Sequence, residues 1–160
     1  SFRIFASDNG DKFPMEISTN QGGVFEYKFN PGVAARVFKC LSNELSTPKI
    51  VICPSDNRKE ATNFASLSLA NVSYFVGWNA TLVDPSAFLA GDRQIGFPRS
   101  VSNAILTISS NRASNLGWTP GPHSGLGNIA FADGSVQQLT DARLRAAGTN
   151  LVRTNLLIIP

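Results

Sequence analysis

His123 is the only histidine in the chain, so any acid–base or nucleophilic device working near neutral pH has to be built on it. Ser124 is its immediate neighbour, and no glycine-flanked nucleophile elbow precedes a helix, which leaves a Ser-His-Asp arrangement without support. Asp92 and Asp133 could pair as acid and base, but nothing in the sequence fixes their separation. Two cysteines, Cys40 and Cys53, lack the Cys-x-x-Cys spacing or the electropositive neighbours that activate a thiol. They leave two readings: one disulfide, worth about 3 kcal/mol in the chain-entropy model, or two buried free thiols. With one distant histidine they do not make a four-ligand zinc set. Asp92, Asn128 and Asp133, with nearby backbone carbonyls, are hard oxygen donors of the kind calcium uses, and calcium is the candidate cation. The glycine-rich run from Gly121 to Gly127 lacks the lysine and the following helix of a phosphate loop. The residues therefore predict no enzyme and no resident cofactor beyond that cation.

These residues must be held by elements that the pattern makes legible. Ile129 and Phe131 lead to Asp133-Gly134, and Val136 and Leu139 follow, which predicts a hairpin with a two-residue primed turn. Gly125 and Gly127 let the chain bend upstream, so His123 is expected to fold back and hydrogen-bond the hairpin or Asp133. Thr140 caps a compact helix running to Gly148, and residues 151–159 form a final apolar segment, read as an edge strand. Upstream, Phe2, Phe5 and Ala6 suit the end of a helix. Residues 24–29 alternate like a strand with an aromatic face. Asn30-Pro31 starts an amphipathic helix carrying Val33, Val37, Leu41 and Leu45. Residues 49–53, 71–77, 87–90 and 104–109 read as short strands. Residues 111–122 form a long ordered loop in which Trp118, among Gly117, Thr119 and Pro120, points outward as a partner contact.

Composition bounds the rest. The chain has 160 residues, 42% of them hydrophobic and 16% charged, which is one globular domain's worth of sequence. The net charge of +3 is scattered, without the basic block that nucleic-acid binding needs. No apolar run approaches the roughly 18 residues of a membrane span.

Nine residues separate His123 from Asp133-Gly134, and this His-x9-Asp-Gly spacing resembles the C-terminal motif of prepilin-like proteins, the pseudopilin relatives of type II secretion and type IV pili. The stretch from Phe2 to Pro14 is similar to the end of the pilin-type helix and its following turn. Ile52-Cys53-Pro54-Ser55-Asp56 and Leu89-Ala90-Gly91-Asp92 match further elements of those proteins. The resemblance implies an α+β, pilin-like head over residues 1–160. In it a truncated N-terminal helix, residues 1–9, packs with the amphipathic helix against an antiparallel sheet carrying long ordered loops. It implies a structural filament subunit that self-assembles with other pilins or pseudopilins. Its precursor would be cleaved and N-methylated by a prepilin peptidase and rooted in the bacterial inner membrane, the head facing the periplasm or the exterior. Major pseudopilins of the family carry a calcium-stabilised loop, which again points to Asp92, Asn128 and Asp133. The alternative is an extracytoplasmic domain that binds a glycan or peptide through Trp118 and the His123 loop.

Overall fold

The structure, a computed structural model, describes residues 1–30, 32–97, 105–121 and 123–160. Pro31 at the expected helix start, Ala104 at the expected strand start, and Pro98 and Pro122 in the expected loops lie outside the described residues. The fold is α+β. A six-stranded antiparallel sheet is built from β1 (Tyr74–Gly77), β2 (Phe88–Asp92), β4 (Ile105–Ile108), β6 (Leu126–Phe131), β7 (Val136–Thr140) and β8 (Asn155–Ile158). Their order across the sheet is β4-β8-β1-β2-β6-β7, and a separate ribbon pairs β3 (Ile95–Gly96) with β5 (Gly117–Trp118).

Each face of the sheet buries its own core, because successive side chains on a strand point to opposite sides. Val76, Leu89 and Ile158 enter a core with Phe2, Phe5, Phe13, Val37 and Phe38. Phe75, Phe88 and Leu157 enter the other, with Ile129, Leu139 and Leu144. The first core is closed by α1 (Phe2–Asp8), α2 (Val33–Cys40) and α3 (Ser42–Leu45), and the second by α4 (Asp141–Thr149). The apolar residues of α2 recur at helical spacing, with Val33, Ala34, Val37 and Phe38 all buried.

Several expectations are corrected. Residues 24–29 form no strand: Phe25–Tyr27 is a 3₁₀ turn, with Val24 buried while Phe25 and Phe29 face solvent. Residues 49–53 form no strand either. Thr47 accepts a hydrogen bond from the Lys49 N–H, and Pro48 takes the first position of a 3₁₀ helix, Pro48–Val51. The last apolar segment is an inner strand rather than an edge, since β8 lies between β4 and β1. The hairpin between β6 and β7 exists in the expected place, but its turn differs. Gly134 alone in that turn carries positive φ (91°), the Gly134 N–H donates to the Phe131 carbonyl, and the Phe131 N–H donates to that of Ser135. This is a three-residue loop with glycine in the left-handed position rather than a two-residue primed turn.

Candidate functional site: the His123 loop

The left-handed pair of residues sits at the other end of β6. Ser124 (φ 49°) and Gly125 (φ 80°) are the two centres of a turn closed by the Leu126 N–H donating to the His123 carbonyl at 3.1 Å. That turn delivers His123 to the start of β6, not to its hairpin end. From Asn128 the strand runs on to Phe131, roughly 10 Å, before the turn that holds Asp133. Its carboxylate accepts from the Ser135 N–H (2.8 Å) and hydroxyl (2.7 Å), bonds that hold it below the usual carboxylate range. The expected bond between His123 and Asp133-Gly134 is therefore absent. The hairpin tip meets α1 instead, through Arg3 Nη1 and the Ala132 carbonyl at 3.5 Å.

The imidazole faces two other residues. His123 Nε2 lies 3.2 Å from Cys53 Sγ and 3.9 Å from Asp92 Oδ1. Asp92 ends β2, its side chain 3% exposed. Its Oδ2 accepts from the Asn128 backbone N–H at 2.7 Å and from the Asn128 amide at 3.2 Å. A bulge between Phe88 and Ala90 shifts the register of β2 on β6 just before Asp92. Cys53 follows the Pro48–Val51 turn, and its carbonyl accepts from the Asp56 N–H at 2.9 Å.

The residue that follows β2 completes a clamp. Arg93 donates through Nε (2.8 Å) and Nη2 (2.9 Å) to the two oxygens of Asp56. This bidentate bond is the main reason that the Asp56 carboxyl is held down to about 2. Adjacent residues 92 and 93 thus secure both ends of the 53–56 loop, one through His123 and the other directly. Tyr74, paired with Asp92 across β1 and β2, lies beside the same group. Burial first, then the charges of Cys53, Asp92 and Asp56, push its phenol up to about 12.

Cys40 and Cys53 are both free thiols, so the disulfide weighed from the sequence is not formed. Cys40 Sγ donates to the Gly22 carbonyl at 2.9 Å, while Cys53 turns toward His123. Asp92 and Asn128 are brought together, Asp133 is not, and the Asn128 amide donates to Asp92 through its nitrogen. Among the described residues no three His, Cys, Asp or Glu side chains are grouped to hold a metal ion. Trp118 does not point outward as a free platform. Its Nε1–H donates to the Leu139 carbonyl at 2.8 Å, its backbone N–H to Asp141 at 2.7 Å, and its ring covers Gly127.

Carboxylate and thiol approach the same imidazole nitrogen. A nucleophile–His–carboxylate relay uses one nitrogen for each, so this is not that relay. The arrangement can share or transfer a proton between Cys53 and His123. The pairing was hidden in the sequence because 70 residues separate the two. No family model, no curated protein and no solved structure matches this chain.

Proposed function

We propose that the chain is the globular head of a pilin-like or type II secretion pseudopilin-like filament subunit, acting through assembly and partner contact rather than turnover. The observation that carries this reading is the docking of α1. Phe2, Phe5 and Ala6 pack it onto one face of an antiparallel sheet, and Arg3 joins it to the tip of the β6–β7 hairpin. A helix bound at both places can pass load or position from its own axis to the head. The His-x9-Asp-Gly spacing adds support, since its two ends order the two ends of β6.

No described helix is long and apolar enough to cross a membrane. The reading therefore requires an anchor preceding these residues, with a prepilin peptidase site and about 20 apolar residues. The coding sequence upstream of Ser1, with membrane fractionation of its full product, tests this. A peptidase site and recovery with the inner membrane are expected. A different upstream domain, or a full product recovered free of the membrane, overturns it.

A further inference from the structure

We propose that Cys53 is a covalent modification site, a thiol activated by His123 toward small hydroperoxides. The inference does not rest on the filament reading. Three segments remote in sequence converge here: Cys53 after a 3₁₀ turn, Asp92 at the end of β2, and His123 on the turn that opens β6. A thiol reacts as its thiolate, so reactivity needs a nearby acceptor for the proton. His123 Nε2, 3.2 Å from the sulfur, is that acceptor, and the Asp92 carboxylate 3.9 Å from the same nitrogen is the counter-charge to the imidazolium. Among the described residues the site also adjoins Tyr74, whose phenol is neutral in the working range, and Asp56, which Arg93 neutralises with Arg58 close to the pair.

Burial selects the reactant. Cys53 is 7% exposed while the imidazole beside it is 25% exposed, which favours hydrogen peroxide and other small reagents over bulky protein disulfides. The sulfur attacks one peroxide oxygen, an S–O bond forms and the O–O bond breaks. The departing hydroxide takes the proton held by the imidazolium and leaves as water. Sulfur loses two electrons to become a sulfenic acid, and the peroxide gains them. Cys40 serves as an internal reference: burial and then Glu44 push its thiol up to about 11, and no imidazole adjoins it.

The test treats the native protein with hydrogen peroxide in the presence of dimedone and maps both cysteines by mass spectrometry. A parallel series measures iodoacetamide rates between pH 5.5 and 9, ranges chosen around the ordinary thiol value of about 8.5. Cys53 is expected to react at least about tenfold faster than Cys40 at neutral pH, its rate levelling below the ordinary thiol range. His123→Gln should slow Cys53 by about tenfold and leave Cys40 unchanged. Equal rates at the two cysteines in the native protein overturn the proposal, as does a Cys53 profile that rises only through the ordinary range. The native profile decides even where His123→Gln disturbs folding.

Discussion

Gly127 shows how one missing side chain sets the geometry of the loop. A Cβ built there would lie 2.5 Å from two atoms of the Trp118 ring. Gly127→Ala must push the indole off β6 and strain its bond to Leu139, at a cost of about 2 kcal/mol. A lowered urea midpoint together with an altered tryptophan emission spectrum is the expected result. Asp92→Ala acts differently, by leaving the Asn128 N–H without its acceptor in a part-buried site. That loss should amount to about 2–3 kcal/mol, read from chemical denaturation. The sequence made Asp92, Asn128 and His123 visible as residues with chemistry, and left their partners open. Spacing along the chain marks a histidine and a turn, but the contact with Cys53 depends on strand order and on a bulge. Neither leaves a local trace.

At the level of elements, α4 separates capping from packing. Thr140 accepts the Arg143 N–H at 3.3 Å, and Asp141 follows in the first turn. Thr140→Ala should lower stability by about 1 kcal/mol in thermal unfolding. Gly148 was expected to end this helix, yet the helix runs on to Thr149. A Cβ at Gly148 would stand 2.8 Å from the Ala113 Cβ. Helix propensity alone favours Gly148→Ala by about 1 kcal/mol. The clash with Ala113 reverses that sign, so the variant should melt below the parent. Elements with a strong local signature were legible: α4, β1, β2 and the hairpin stand close to where periodicity and caps place them. The amphipathic helix starts later, after Gly32 rather than at an Asn30 cap, and breaks at Leu41 into α2 and α3. The two failed strands, residues 24–29 and 49–53, have apolar content without a sheet neighbour. In the second, Thr47 and Pro48 act as the cap and first position of a 3₁₀ helix.

For the whole molecule, the Asp56–Arg93 pair ties stability to acidity. Its folded carboxyl sits at about 2, below the roughly 3.9 of an unfolded aspartate. The stabilisation is therefore complete above about pH 5 and is lost as pH falls through 4 toward 2. Arg93→Met should cost about 2–3 kcal/mol at pH 6, and the gap to the parent should narrow at pH 3. Urea titrations of both proteins at the two pH values check the sign. The position of β8 has a consequence in time. β4 pairs with β8, and β1 takes β8 on one side and β2 on the other. While residues 155–158 are still inside the ribosome, β4 has nothing in the sheet to join, and both hydrophobic layers lack their share of this strand. The six-stranded sheet therefore cannot close until residue 158 has emerged, and until then β1 keeps an unpaired edge where β8 will lie.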